Sequence, residues 1–227
     1  MHIAGIVKSS FVDYPGKIAF VVFTRGCNMD CYFCHNKSLL SVPDDELFCV
    51  DNILKMLKER SDFIDGVVIT GGEPLIQEDL SEFIDEIKKL KLLVKLDTNG
   101  LMPKELAKII CKVDYVAMDI KCTFDKYPEV CLLNRSNNIE KLIRQSIYII
   151  QNSGVEHEFR TTLIPDIESV HEILEIKKYI NKSSYFIQKY ISNTSRPDST
   201  DRKTLKIESI KESIKNWNLH SIFYRGF

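Results

Sequence analysis

The residues best suited to chemistry lie in RGCNMDCYFCHN (25–36), where Cys27, Cys31 and Cys34 stand at a CxxxCxxC spacing. On a compact loop that spacing lets three sulfurs turn to one centre, and soft thiolates favour zinc or an iron–sulfur cluster. A structural zinc site closes with four ligands. His35 is the only adjacent candidate, and because it directly follows Cys34, presenting both side chains to one metal is awkward. Three thiolates on a [4Fe–4S] cluster instead leave one iron without a protein ligand, open to a substrate or cofactor. The cluster is the favoured reading; zinc and a loop of free thiols are the alternatives.

Three further motifs carry groups able to hold a ligand. TGGEP (70–74) offers two adjacent glycines, which let a ligand approach with no Cβ in the way, followed by the carboxylate of Glu73. Taken alone it is an ordinary strand-to-helix turn with a helix-initiating proline. LDTNG (96–100) and MDIKC (118–122) each set an aspartate at a strand end, Asp97 beside Thr98 and Asp119 close to Lys121. Two carboxylates converging on one site repel a ligand carboxylate unless a cation or a lysine intervenes. Polar caps at strand ends are the plain alternative for each. No Ser/His/Asp or Cys/His constellation stands out in the sequence as a catalytic centre.

Short β-branched runs that alternate with amphipathic ones must position these motifs. IAFVVFT (18–24) reads as a strand leading into the cysteines, and GVVIT (66–70) as a second ending at Gly71-Gly72. Leu80, Phe83, Ile84, Ile87 and Leu90 then mark one helical face. VKLDT is a third strand closed by Asn99-Gly100, and LMPKELAKII (101–110) the next helix. YVAMDI (115–120), EFRTTLI (158–164, stopped at Pro165) and YFIQKYI (185–191) complete six strands. Helices are expected from Ile139 to Ile150, from Ser169 to Ile180, and along Ile207, Ile210, Ile214 and Trp217, before the tail SIFYRGF. SNTSRPDSTDRK (192–203) resembles a long loop. Six β-then-α units predict an α/β fold, an open partial (β/α)6 barrel of parallel strands, with chemistry at the C-terminal strand ends. All 227 residues are assigned to a single domain, with an N-terminal turn or extension at 1–17, the cluster loop at 25–37 and a C-terminal helix and tail at 205–227.

Composition narrows the class. Hydrophobic residues make up 44% and charged residues 28%, ordinary values for a globular chain. A net charge of −1 points to no nucleic acid and no anionic membrane surface. The segment 177–215 is locally basic and reads as solvated surface. The longest apolar run, IAFVVF, is too short to span a bilayer. With no signal peptide at the start, a cytoplasmic location is expected. Seven cysteines, an odd number, argue against a disulfide framework. Cys49, Cys111, Cys122 and Cys131 have no CxxC spacing, and burial as small hydrophobes is their default. His157, His171 and His220 are expected at the surface or in helix packing.

Together, CxxxCxxC and a GGE about forty residues later resemble the radical SAM superfamily. The resemblance implies a [4Fe–4S] cluster on Cys27, Cys31 and Cys34, with S-adenosylmethionine (SAM) on the open iron. Phe33 resembles the adenine-contacting position, His35 follows the cluster, and Gly71, Gly72 and Glu73 look like the motif that grips SAM's ammonium. LDTNG and MDIKC are similar to motifs of the activating enzymes of glycyl radical enzymes. There Asp97, Thr98, Asp119 and Lys121 would lie near SAM, and the aspartates can hold a monovalent cation. Some relatives carry a histidine near the end of the sixth strand; here Gln188 or Lys189 stands there. SSFVDYPGK (9–17), CHN and the terminal Arg225-Gly226 resemble this branch as well. The Asp-Tyr-Pro-Gly form is closest to anaerobic ribonucleoside-triphosphate reductase activating proteins.

The resemblance implies that flavodoxin or ferredoxin reduces the cluster. SAM is then cleaved to methionine and a 5′-deoxyadenosyl radical, and a hydrogen atom is taken from a backbone glycine of the partner reductase. Pyruvate formate-lyase or another glycyl radical enzyme is the alternative partner. A small-molecule radical SAM enzyme and a non-catalytic zinc-binding interaction module are the remaining alternatives.

Overall fold

A computed structural model describes residues 1–133, 138–164, 167, 169–191, 207–216 and 221–226. Its strands are β1 (Ile3–Ser10), β2 (Ala19–Thr24), β3 (Gly66–Gly71), β4 (Leu93–Thr98), β5 (Tyr115–Asp119), β6 (Glu156–Leu163), β7 (Ser184–Lys189) and β8 (Ile222–Arg225). They form one sheet in sequence order, with β1 antiparallel to β2 and every later pair parallel. Helices α1 (Val50–Arg60), α2 (Leu80–Lys89), α3 (Pro103–Ile109), the single turn α4 (Tyr127–Val130), α5 (Ile139–Asn152), α6 (Val170–Ile180) and α7 (Ile207–Asn216) lie between the strands.

The six expected parallel strands are β2 to β7, and two strands extend them. Part of the segment read as an N-terminal turn is β1, whose backbone pairs with β2 although most of its side chains are half-buried or exposed. The expected tail contains β8, which adds to β7. Helix α1 was also not read from the sequence. His157 sits on strand β6 rather than on a helix, half-buried, 3.0 Å from Ser183 Oγ. His171 is exposed on α6. Pro165, the whole 192–203 loop, Trp217 and His220 lie outside the described residues.

The two faces of the sheet differ in chemistry. The outer face packs Val67, Ile69, Val94, Leu96, Val116, Met118 and Phe159 against the helices, where Leu57, Phe83, Ile84, Leu106, Ile143 and Ile173 are buried. Burying these apolar surfaces contributes most of the favourable folding free energy. The inner face has a small floor of Ala19, Val21, Val68 and Ala117, closed by Tyr14 and Tyr115 with ring centroids 5.7 Å apart. Tyr14 reaches this position from the DYPG turn, where Gly16 adopts φ 67°. Above the floor the inner positions turn charged: Lys95, Asp97, Asp119, Glu158 and Arg160. That row points to the C-terminal strand ends.

Candidate active site

One cavity of about 250 Å³ opens at those strand ends. Cys27, Cys31, Phe33, Cys34 and His35 form one wall. Gly71 and Gly72 from the end of β3, Asp97 and Thr98 from β4, Asp119 and Lys121 from β5, and Gln188 from β7 form the rest. Of the thirteen residues singled out in the sequence, Glu73 alone is not on this wall. Phe33 is 5% exposed, whereas His35 stands at the exposed rim, its ring 6.5 Å from that of Tyr190.

The turn after β3 holds the cysteine loop in place. Gly72 N–H donates to Thr24 O and Glu73 N–H to Gly26 O, both at 2.9 Å. Gln77 Nε2 donates to Arg25 O at 2.9 Å and Asn36 Nδ2 to Gly71 O at 3.1 Å. Gly71 has φ 108°, a conformation open to glycine, and a Cβ on it would lie 2.5 Å from Thr24 N. The side of Gly71 where a Cβ would stand is thus filled by the backbone of β2. On the loop's other side Asp30 N–H donates to Cys131 O at 3.1 Å.

Glu73 is fully buried behind the wall. Its Oε1 accepts from Thr98 Oγ1 at 2.8 Å and from Leu75 N at 3.2 Å, and its Oε2 accepts from Asn99 N at 2.7 Å. Burial pushes its carboxyl up to about 7, against the pull of those three donors. Asn99 in turn donates to Asn28 Oδ1 at 2.7 Å, so the end of β4, the GGE turn and the cysteine loop form one hydrogen-bonded unit.

Arg160 is the principal group that sequence reasoning missed. Paired in register with Asp119, it donates through Nε to Asp119 Oδ1 at 2.6 Å and through NH1 to Asp97 Oδ2 at 3.1 Å. Lys95 holds Asp97 Oδ1 at 2.5 Å and Lys121 holds Asp119 Oδ2 at 3.0 Å. Burial alone would raise both carboxyls. The cations outweigh it, Arg160 first, and hold Asp97 below and Asp119 well below the ordinary value. Alternation was the available signal: in EFRTTLI, Glu158, Arg160 and Thr162 share a face opposite Phe159, Thr161 and Leu163. Charges inside an expected buried strand mark a lined cavity.

Burial pushes the Cys27 thiol up to about 11 and the Cys34 thiol up as well, while a hydrogen bond from Cys131 lowers Cys31 to about 7. Lys121 favours the thiolate of all three. Cys131 was expected as a small hydrophobe; it is buried, but it also meets Cys31. Cys122 is buried, whereas Cys49 and Cys111 are exposed.

Among the described residues no three His, Cys, Asp or Glu side chains are gathered as ligands of a single ion. A cubane cluster asks for something else, each thiolate meeting its own corner iron. Three soft thiols on one wall with a lysine to offset their charge fit that group. The adjoining polar wall, where Asp119 and Lys121 stay partly open, fits a zwitterionic amino-acid end.

This fold is that of a known class. The chain belongs to the radical SAM superfamily, whose description matches residues 21–180, and it is an enzyme of the radical SAM type. It is 34% identical over 221 residues to a putative glycyl-radical enzyme activating enzyme of Methanocaldococcus jannaschii, covering 93% of this chain and 87% of the relative. It is 26% identical to the pyruvate formate-lyase-activating enzyme of Clostridium pasteurianum over 97% of this chain and 90% of that one. Streptococcus suis SuiB bound to S-adenosylmethionine shares the fold, with TM-score 0.69 at 17% identity over 88% of this chain. The chain spans about half of that structure, 48% of its length. The family implies SAM and a [4Fe–4S] cluster. Among the described residues no helix is long and apolar enough to cross a membrane.

Proposed function

We propose that this chain is a cytoplasmic activating enzyme that installs a glycyl radical in the anaerobic ribonucleoside-triphosphate reductase. One observation carries the reading: a single cavity joins the three cysteines to the carboxylate and lysine ends of β4 and β5. When bound, the cluster, reduced by flavodoxin or ferredoxin, supplies the electron that cleaves SAM to methionine and a 5′-deoxyadenosyl radical.

The chain's own residues do the positioning. Cys27, Cys31 and Cys34 hold the cluster, and Lys121 offsets its negative charge. Gly71, Gly72, Asp97, Thr98, Asp119 and Lys121 receive the methionyl and ribose parts of SAM, with Glu73 bracing them from behind. Phe33 and Gln188 flank the adenine, and His35 stands at the entrance. A hydrogen atom passes from a backbone glycine of the partner to the 5′ carbon, leaving a glycyl radical stabilised by the flanking amides. A backbone glycine suits the open end of a partial barrel, which can admit a protein loop. The relatives' names support the activating role, and the Asp-Tyr-Pro-Gly turn supports the reductase as partner.

The test is anaerobic reconstitution with iron and sulfide, then incubation with SAM, reductant and either the reductase or pyruvate formate-lyase, read by EPR. A glycyl radical on the reductase is expected. A radical on the lyase alone transfers the role to that partner, as the Clostridium pasteurianum relative's name would suggest. A colourless protein that retains zinc and leaves SAM intact refutes the reading.

A further inference from the structure

The aspartate pair that the family resemblance offers to a monovalent cation is already neutralised by protein. Each carboxylate oxygen has a cationic partner: Lys95 Nζ on Asp97 Oδ1 at 2.5 Å, Arg160 NH1 on Asp97 Oδ2 at 3.1 Å, Arg160 Nε on Asp119 Oδ1 at 2.6 Å, and Lys121 Nζ on Asp119 Oδ2 at 3.0 Å. Thr70 Oγ1 adds a donor to Asp97 Oδ2 at 3.3 Å. The next acid along, Glu158, lies 4.0 Å from Arg160 and is itself clamped by Arg225 at 2.9 and 3.1 Å. Two carboxylates therefore face three fixed cations. A metal ion within reach of the same oxygens would stand against like charge on several sides, in a pocket where screening is weak.

We infer that Arg160 is a positioning residue that replaces the monovalent cation, so that this enzyme binds SAM without Na⁺ or K⁺. The planar guanidinium suits this task. Its Nε and NH1 reach two different carboxylates at once, which a lysine ammonium on a flexible stem holds less rigidly. Because Arg160 sits opposite Asp119 in the β5–β6 register, the bridge is fixed by the sheet. The inference concerns SAM binding and is independent of which protein receives the radical.

The experiment titrates SAM into the anaerobically reconstituted protein by calorimetry, in KCl, NaCl or tetramethylammonium chloride at equal ionic strength, with thermal melting in the same salts. The bulky organic cation cannot enter a site sized for K⁺. Wild type is expected to show the same affinity and melting midpoint in all three. Arg160→Gln, which stays polar but is shorter and loses the charge, leaving room for a small cation, is expected to bind SAM about tenfold more weakly or worse in tetramethylammonium and to recover affinity in NaCl or KCl. A merely structural role would not produce recovery by a small cation. About tenfold weaker binding by wild type in tetramethylammonium would overturn the inference. So would wild-type affinity of Arg160→Gln in that salt, or a loss that no small cation restores. If Arg160→Gln fails to fold, the wild-type comparison decides alone. SAM cleavage by the same preparations reports separately on the radical chemistry.

Discussion

Gly72 lies so close to the start of the cysteine loop that a Cβ on it would stand 1.7 Å from the carbonyl oxygen of Gly26. Both partners are backbone, pinned by the Gly72 N–H to Thr24 O and Glu73 N–H to Gly26 O hydrogen bonds, so neither can yield as a side-chain tip would. Gly72→Ala must therefore push the loop off the turn. The variant is expected to keep its far-ultraviolet circular dichroism, to lose about 2–3 kcal/mol of stability and to bind little iron on reconstitution. Gly5→Ala, whose added carbon would meet only the Leu39 and Phe23 side chains at an ordinary 3.7 Å, is the control and should take up iron normally. Equal iron in the two variants would show that the contact does not govern the cluster loop.

The thiol beside Cys31 yields a sharper assignment of ligands. Cys131 is fully buried and absent from the cavity wall, and its thiol favours the thiolate form of Cys31. Cys131→Ala should retain full iron and sulfide content and lose only about 1 kcal/mol, the order expected for a small core deletion. Cys31→Ala should lose both iron and SAM cleavage. Iron analysis of the two proteins checks this, and loss of iron from Cys131→Ala would make Cys131 a ligand.

Much of this arrangement was legible in the sequence because its signals are local. Strands β2 to β7 announce themselves by apolar runs, and the polar motifs of the candidate site stand where those runs stop. Three things were not legible. Strand β1 owes its existence to pairing with β2: its short run IAGIV is interrupted by Gly5, and most of its side chains are half-buried or exposed. The bond between Glu73 and the Thr98–Asn99 turn spans the crossover from β3 through α2 to the far end of β4, so the carboxylate reads locally as a ligand-facing group. The bridge from Arg160 to Asp97 joins residues 63 positions apart and exists only because three strands lie side by side. Period-2 alternation placed Arg160 on a face; it could not say what that face meets.

Glu73 makes stability depend on pH in a definite direction. Its folded-state carboxyl is raised to about 7 from an ordinary 4.5, chiefly by burial. A raised value means that the native state binds the proton more tightly than the unfolded chain does. The contribution is therefore full below about 4.5 and is lost as pH rises through about 7. Wild type should lose melting temperature over that window relative to Glu73→Gln, which cannot titrate. The amide places an N–H₂ against Asn99 N–H, so the variant starts less stable by about 1–3 kcal/mol. Parallel pH profiles for the two metal-free proteins would contradict the buried-acid assignment.

The last relationship ties the C-terminal strand to the site. Arg225 on β8 forks onto both oxygens of Glu158, at 2.9 and 3.1 Å, its guanidinium 4.3 Å from the centre of the Phe186 ring. Glu158 is 0% exposed and its remaining donor is Tyr115 OH at 3.0 Å. Arg225→Met would leave a buried carboxylate short of its main counter-charge, a loss of about 3 kcal/mol, or roughly 6–12 °C in melting temperature for a chain of this size. Glu158→Gln alone frees Arg225, which is partly exposed and can turn to water, so it should destabilise less. Combining the two removes the stranded charge. The double variant is therefore expected to melt well above the sum of the single losses, with a coupling of about 1–3 kcal/mol. Strict additivity in that cycle would mean that the C-terminal strand is held by its backbone ladder to β7 and not by the ion pair.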